Sequence, residues 1–299
     1  MKTVKRGDFF ARQGWYPKNP EACRRVIEEF SKTAKKPKDS KQTFHAGIVP
    51  HAGWSFSGGP AAAVFKALKE GDLVDRVVLF GGHMGPSSAG WILNEGVWET
   101  PLGSLQQDSG FAGALAQKGG GVFSEIGPDD YEPDNTIELQ LPFVKYFFEN
   151  AKIVVAGVPA TSEGLALGRL TAELSSSMER EVEGEASNSR GRTIIVGSTD
   201  LTHYGINYGF MPKGLGPEAV SWVKEVNDGR ALKNIQGLNA KEFLDDALTA
   251  HNACCPGAAG AALTAAKAMG SERGEVLDYF TSYDIQPGAS FVGYAAAVM

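Results

Sequence analysis

Short runs of β-branched and aromatic residues alternate with longer stretches of helical composition along this chain, and this alternation most limits its fold. Glycine or proline bounds each short run, as is typical of strands. The candidate strands are Phe44 to Val49, Arg76 to Phe80, Ile153 to Val158, Thr193 to Val196 and Phe291 to Ala296. The candidate helices are Pro20 to Lys35, Gly59 to Glu70, Asp108 to Lys118, Ile137 to Phe148, Ser162 to Met178, Pro217 to Val226, Ala240 to Asp246 and Ala258 to Met269. This order predicts an α/β fold in which helices flank a mixed or parallel central sheet.

We expect residues 1–299 to form a single domain. The chain has 299 residues, of which 42% are hydrophobic and 21% are charged, so it can bury a sizeable core. The polar segment EREVEGEASNSRGR, from Glu179 to Arg192, predicts a surface loop. It does not indicate a domain boundary, because a strand pattern resumes directly after it.

Charge, hydropathy and cysteine content argue against several classes of partner. The formal net charge is -6, and no cluster of lysine and arginine is interleaved with aromatics, so we expect no nucleic acid partner. No stretch has the length and apolar character of a membrane span or a secretory signal. Two of the three cysteines, Cys254 and Cys255, are adjacent, which is a poor basis for a disulfide framework. These features predict a cytoplasmic protein with reduced thiols.

Three candidate strands end in a glycine- or serine-rich segment that carries a histidine. The segments are IVPHAGW with His51, LFGGHMG with His83 and VGSTDLTHYG with Asp200 and His203. A single histidine is more often a hydrogen-bonded structural residue, but three of the chain's five at strand ends are harder to explain in that way. Ligands bind beyond the carboxyl ends of strands in open α/β sheets, and imidazole is a common metal ligand. We therefore expect these segments to share one site.

Two carboxylates near this site have alternative interpretations. Asp200 lies three residues before His203, and a helical turn there would let it orient the imidazole as a general acid or base needs. Asp200 would also suit the N-cap of such a turn. Glu138 follows Asn135 by three residues in a predicted first helical turn, which is a capping arrangement, although a buried carboxylate facing the site is the alternative.

Cys254 and Cys255 precede an alanine-rich helix predicted to begin near Ala258. At least one sulfur would then lie at a helix N-terminus, where the macrodipole favours a thiolate. A thiolate is a metal ligand or a nucleophile. The alternative is that both cysteines are small buried hydrophobic residues.

Seven segments together resemble the Memo family in the same order, from about Val49 to the C-terminus. They are PHAGWSFSG, FGGHMG, WETPLG, NTIELQLPF, GSTDLTHYG, the cysteine before the alanine-rich helix, and TSYDIQPGASFVGYAA. Members of that family are similar to class III extradiol dioxygenases, in which two histidines and a carboxylate hold iron(II). The resemblance therefore implies an extradiol dioxygenase-like fold.

The resemblance also implies roles for individual residues. His51 and His83 match the two imidazole ligands, and Cys254 stands where the dioxygenases supply a carboxylate. Asp200 and His203 match the remaining polar pair, with His203 at the acid/base position.

The sequence departs from the family at two positions. Asn135 replaces a usual histidine, which removes one proton carrier or ligand. Cys255 replaces the glycine that commonly follows the family cysteine, so the choice of sulfur stays open. Cys254 is preferred because it keeps the family's spacing to the small residues of the following helix.

The leading functional expectation is a metal-dependent oxidoreductase that holds iron(II), or alternatively copper, through His51, His83 and Cys254. Its expected substrates are a small aromatic or catechol-like molecule and dioxygen, with Glu138 as a weaker candidate for a supporting group. Prokaryotic relatives, the B proteins of the AmmeMemoRadiSam system, often occur beside a radical-SAM protein, which is therefore an expected partner. A second hypothesis is a non-catalytic scaffold that binds a peptide or small molecule in the same cleft. A third is a cysteine hydrolase with Cys254 as nucleophile and His203 as base.

Overall fold

A nine-stranded sheet lies at the centre of the computed structural model, which describes residues 1–5, 8–39, 42–71, 73–182 and 191–299. The strands are β1 (Ala46–Val49), β2 (Val74–Gly81), β3 (Gly90–Leu93), β4 (Val97–Thr100), β5 (Gly103–Gln106), β6 (Phe123–Ile126), β7 (Lys152–Gly157), β8 (Arg192–Ser198), β9 (His203–Gly205), β10 (Glu275–Thr281) and β11 (Ser290–Val298). The α-helices are α1 (Phe9–Arg12), α2 (Pro20–Thr33), α3 (Trp54–Lys69), α4 (Ser109–Lys118), α5 (Asn135–Glu138), α6 (Leu141–Phe147), α7 (Ser162–Val182), α8 (Pro217–Trp222), α9 (Asp228–Gln236), α10 (Ala240–Ala250), α11 (Pro256–Ala268) and α12 (Ser282–Ile285). A 3-10 turn, Ile206–Tyr208, and a π-helical segment, Val223–Asn227, complete the set.

The sheet is mixed, as the sequence predicted. Its main path runs β10-β11-β1-β8-β2-β7-β3-β6, with β9 paired to β11, while β4 and β5 form a separate hairpin. The central strands β1, β8, β2 and β7 are parallel, and β11 and β3 join them in antiparallel orientation. The carboxyl ends of β1, β8 and β2 therefore lie side by side at one edge.

Alternation of side chains along the central strands gives the sheet two apolar faces. In β2, Val77 and Leu79 belong to one core cluster, and Val78 and Phe80 belong to the other. Helices α2, α3 and α6 cover the first face, and α4, α7 and α11 cover the second. Burial on both faces explains why these strands are nearly continuous runs of apolar residues.

All five strands predicted from sequence are present, with boundaries shifted by one or two residues. The strands that pattern reading missed are short or polar. Strands β3, β4, β5 and β6 have four residues each, and β9 has three. The sequence of β10, EVLDYFT, interrupts its apolar residues with acidic ones.

Several predicted helices have different limits in the structure. The helix expected from Gly59 begins at Trp54, and the one expected over Ile137 to Phe148 is divided into α5 and α6. The helix expected over Pro217 to Val226 changes from α to π geometry at Val223, and α9, which follows it, was not predicted.

The segment predicted as a surface loop begins later than expected, because α7 continues to Val182. Residues 183–190 of it lie outside the described residues. None of the helices in the described ranges combines the length and the apolar character needed to cross a bilayer.

Candidate metal centre

Four loops meet at the carboxyl edge of the parallel strands. His51 follows β1, His83 follows β2 and Asp200 follows β8, while Cys254 and Cys255 come from the segment before α11. Because β1, β8 and β2 are neighbours, their loops deliver side chains to one place even though the residues are far apart in sequence.

The structure brings together the predicted ligands His51, His83 and Cys254, and it adds Cys255. One donor atom from each of these four side chains lies within 4.8 Å of the others. The His51 Nε2 atom is 3.3 Å from Cys254 Sγ, and the His83 Nδ1 atom is 3.5 Å from Cys255 Sγ. The two sulfurs are 3.7 Å apart. We call these four side chains the His/Cys cluster.

Hydrogen bonds outside the cluster fix the orientation of His51. Its Nδ1 atom lies 3.0 Å from Ser198 Oγ, so Nε2 is the nitrogen that faces Cys254. Its backbone N–H donates to Asp200 Oδ1 at 2.8 Å. The ring is almost completely buried. Burial alone would lower its pKa, but the charges of Asp200 and Cys254 raise it.

Asn135 holds the second imidazole. Its Nδ2 group donates to the carbonyl of His51 at 3.0 Å, which leaves Oδ1 facing His83 Nε2 at 3.0 Å. Because an amide oxygen only accepts, Nε2 of His83 is the donor, and in the neutral ring Nδ1 carries the lone pair that faces the sulfurs. Asn135 is thus a direct neighbour of the predicted ligand His83. The Cys254 sulfur raises the pKa of His83 to about 9.

The two sulfurs differ in their electrostatic surroundings. Burial would raise the pKa of the Cys254 thiol, but the hydrogen bond from Cys255 and the charge of His51 lower it well below its usual range. The backbone N–H of Asp200 also donates to Cys254 Sγ at 3.3 Å. Burial and the neighbouring Cys254 raise the pKa of Cys255. Of the two sulfurs, these surroundings therefore favour the thiolate form at Cys254.

Cys255 is the N-cap residue of α11, as expected for one of the two cysteines. Its backbone N–H donates to Thr199 Oγ1 at 3.1 Å, and the N–H of Cys254 donates to the carbonyl of Asp200 at 3.1 Å. The segment after β8 thus fixes the backbone of both cysteines. Cys255 is also packed in the apolar core, so burial and a place in the cluster coexist.

His203 borders the cluster, but no helical turn carries it. Residues 199–202 are irregular and His203 begins β9, so the proposed N-cap role of Asp200 is wrong. The Oδ2 atom of Asp200 lies 3.8 Å from Nε2 of both His203 and His51. Although burial lowers it, the pKa of His203 rises to about 10 because Asp200 and Cys254 lie beside the ring. The buried His203 Nε2 atom has no hydrogen-bond partner among the described residues.

A pocket of about 480 Å³ lies beside His203. Its walls combine apolar, aromatic and ionisable side chains: Leu201, His203, Tyr208, Gly209, Phe210, His251, Ala253 and Cys254. The ring of His203 lies 4.8 Å from that of Tyr208, and the ring of His251 lies 5.3 Å from that of Phe210. A small molecule in this pocket would contact both His203 and the cluster. His251 was not predicted as a site residue, because it lies at the end of α10 and not at the end of a strand.

Glu138 is fully buried at the end of α5. Its Oε1 atom accepts a hydrogen bond from the backbone N–H of Asp134 at 3.3 Å. The N-cap of this helix is Asp134 and not Asn135, since Asp134 Oδ1 accepts from the N–H of Thr136. A catalytic role for Glu138 stays a prediction.

A buried carboxylate that was not predicted from sequence supports the segment between Asp200 and His203. Asp228 Oδ1 accepts hydrogen bonds from the N–H of Thr202 at 3.0 Å and from its hydroxyl, and Oδ2 accepts from Tyr279 at 2.8 Å. Burial raises the pKa of Asp228 to about 6, against the opposing effect of these donors.

Asn227 links this support to the cysteine segment. It donates to Thr202 Oγ1 at 2.9 Å and to the carbonyl of Ala250 at 3.0 Å. Its own carbonyl, at the end of the π-helical segment, accepts from Asn252 at 2.9 Å. Asn227 thus contacts both site loops, through its side chain and through its backbone carbonyl.

The donor set fits a metal ion. Two imidazole nitrogens and two sulfurs point at one another. Ser198 and Asn135 hold the outward nitrogens of the two rings, and backbone groups hold the cysteine segment. Thiolate and imidazole are ligands for zinc, copper and iron. The fold and this group of side chains define an α/β protein with a candidate His/Cys metal site.

The chain belongs to the Memo family, since residues 12–298 match the family described as Memo-like protein. It is 35% identical to a MEMO1 family protein of Pyrococcus horikoshii over 87% of this chain and 88% of that protein. It is 34% identical to a MEMO1 family protein of Pyrococcus abyssi, over 95% of this chain and 96% of the relative.

A solved structure shares the fold at much lower sequence similarity. The crystal structure of an uncharacterized protein from Escherichia coli K12 superposes with a TM-score of 0.53 at 12% identity, over 86% of this chain and 100% of that one. At this identity the similarity concerns the fold alone.

Proposed function

We propose that this protein is a metal-dependent oxidoreductase whose metal is held by His51, His83 and Cys254. The observation that carries the proposal is the convergence of these side chains within 4.8 Å, beside a pocket that Cys254 and His203 both line. Iron(II) is the first expectation and copper the alternative, because two imidazoles and one anionic ligand suit both metals. When bound, such a metal would supply redox chemistry with dioxygen.

The chain's own residues would position and deprotonate the substrate. The aromatic rings of Tyr208 and Phe210 line the pocket and would hold a small planar molecule, such as a catechol, over the cluster. His203 would exchange a proton with a substrate hydroxyl. Asp200, whose Oδ2 atom lies 3.8 Å from Nε2 of this ring, would stabilise the charge that the imidazole gains.

Metal analysis of protein purified without oxygen tests the proposal. We expect about one equivalent of iron or copper in the wild type, and its loss in His51→Ala and His83→Ala. His251→Asn is the matched control, because His251 borders the pocket but lies outside the cluster, and asparagine tolerates its left-handed backbone, φ 52. Metal-free wild type that also fails to take up added iron(II) or copper would contradict the proposal.

Oxygen uptake then separates an enzyme from a binding protein. With metal-loaded protein and a panel of catechols, we expect oxygen consumption above that of His203→Ala. Stoichiometric metal without oxygen consumption for any member of the panel would favour a scaffold that binds a ligand in the same pocket.

A cysteine hydrolase is a second candidate, and one distance favours it. The Cys254 sulfur lies 3.3 Å from His51 Nε2, within the reach of a nucleophile and its base, so His51 joins the predicted His203 as a candidate base. Hydrolysis of an activated ester that survives complete removal of metal by a chelator, and is lost in Cys254→Ser, would favour this function over the oxidoreductase.

A further inference from the structure

We propose that Cys255 is a fourth metal ligand, so that His51, His83, Cys254 and Cys255 form a tetrahedral two-nitrogen, two-sulfur site that selects a thiophilic ion, zinc or cuprous copper, over iron(II). This inference rests on the metal site of the proposed function, to which it adds a fourth ligand, and it makes copper, the alternative metal there, the preferred redox metal over iron(II). It was not expected from the sequence, where one cysteine of the two was assigned as the ligand.

The distances within the cluster carry the argument. Tetrahedral bonds of about 2.3 Å to sulfur and about 2.05 Å to nitrogen place two sulfurs about 3.8 Å apart, and a sulfur and a nitrogen about 3.5 Å apart. The two sulfurs are 3.7 Å apart, and the two sulfur–nitrogen pairs are separated by 3.3 and 3.5 Å. Three edges of the tetrahedron are therefore present without a metal. Since no two donor atoms are more than 4.8 Å apart, each remaining edge would close by at most about 1.5 Å.

The direction of each donor atom supports the same geometry. Ser198 is hydrogen-bonded to Nδ1 of His51, and Asn135 is hydrogen-bonded to Nε2 of His83. Each ring therefore turns its other nitrogen toward a sulfur. Each sulfur faces a different ring, because His51 is next to Cys254 and His83 is next to Cys255. If Cys254 were the only sulfur ligand, the contact between His83 and Cys255 would have no role in metal binding.

The backbone explains how adjacent cysteines reach one ion. In an extended strand, neighbouring side chains point to opposite faces. Cys255 departs from that geometry, with φ -127 and ψ 62, where the chain turns into α11. On metal binding, the proton of the Cys255 thiol would pass to solvent.

Four protein ligands change the access of substrate to the metal. A tetrahedral site of this kind has no vacant position, so a substrate oxygen would reach the metal only by expansion to five-coordination. Thiolate pairs favour zinc and cuprous copper over iron(II), which prefers harder ligands.

Cobalt(II) substitution tests the inference, because thiolate-to-cobalt charge transfer in the near ultraviolet scales with the number of bound thiolates. Metal-free protein would be titrated with cobalt(II) as wild type, Cys254→Ser, Cys255→Ser and Cys23→Ala. We expect the band per bound cobalt to fall to about half in each of the first two variants. Cys23→Ala is the control and should keep the full band, since Cys23 is buried in α2, outside the cluster.

X-ray absorption spectroscopy of the zinc-loaded wild type counts the sulfur ligands directly, so this test does not depend on the folding of the variants. Two sulfurs at about 2.3 Å support the inference. One sulfur, or an undiminished cobalt band in Cys255→Ser, overturns it and makes Cys255 a hydrogen-bond donor to Cys254, while the proposed function stands. Failure of the wild type to bind cobalt, zinc or iron overturns both.

Discussion

Asp228→Asn should change how the stability of this protein depends on pH. Asp228 is completely buried, and its pKa is raised from 3.8 to about 6. A carboxyl whose folded-state pKa is raised contributes most stability when protonated, below pH 3.8, and this contribution is lost as the pH rises to about 6. The difference of about 2 pKa units corresponds to roughly 3 kcal/mol of unfolding free energy.

Asparagine can keep the hydrogen bonds of this site without the charge. Its carbonyl oxygen can accept from the N–H and hydroxyl of Thr202, and its amide group can donate to the Tyr279 oxygen, which reverses its role. The unfolding free energy of Asp228→Asn minus that of the wild type should therefore rise by roughly 2.4 kcal/mol between pH 4 and pH 7. Groups that titrate equally in both proteins cancel in this difference.

Urea denaturation at several pH values measures this difference. Asp284→Asn is a useful control, because its pKa is lowered: burial opposes the shift, but Lys224 and the Thr281 hydrogen bonds outweigh it. Its stabilising effect is present above pH 3.8 and is lost as the pH falls below that value, so its substitution should give a nearly flat difference between pH 4 and pH 7. A flat difference for Asp228→Asn between pH 4 and pH 7 would refute the reasoning.

Three further substitutions probe the site and its support. His203→Ala should keep most of the metal affinity but lower turnover by about 10²- to 10⁴-fold, and an affinity loss equal to that of His51→Ala would make His203 a ligand. Asn135→Ala removes the hydrogen bond to His83 and should weaken metal binding by about 10- to 100-fold in a chelator competition; unchanged affinity would contradict this. Gly293→Ala would place a Cβ 2.1 Å from Asp228 Oδ2 and should cost about 1 to 3 kcal/mol by thermal denaturation, whereas Gly288→Ala, 3.7 Å from its nearest neighbour, should cost little.

Strands with a uniform environment could be predicted from sequence, and strands with a mixed one could not. The strand β8 was found because RTIIVGS is buried throughout, so its composition reflects a single environment. The strand β10 alternates between buried and partly exposed positions and pairs with only one neighbour at an edge, so Glu275 and Asp278 obscured it.

The part of the candidate site that could be predicted from sequence consists of residues at the ends of strands. His51, His83 and Asp200 each follow a parallel strand, and a sheet brings such positions together whatever their separation in sequence. The roles of Asp228 and Asn227 depend on a change from α to π geometry within a helical segment, which residue patterns do not encode. The presence of both Cys254 and Cys255 in the His/Cys cluster depends on the backbone turn before α11, which residue patterns do not encode either.

The ligands of the candidate metal site are separated by most of the chain, and this separation has a consequence for synthesis. His51 and Cys254 are 203 residues apart, so at about 5 to 20 residues per second the ribosome would deliver Cys254 about 10 to 40 s after His51. For most of that interval the ribosome has not yet made β8, the strand that lies between β1 and β2. Until Cys254 and Cys255 have been added, no partial chain contains the cluster. Metal would therefore reach the complete site only after the central sheet has formed, and its binding to the native state would shift the folding equilibrium without assisting the early steps of folding.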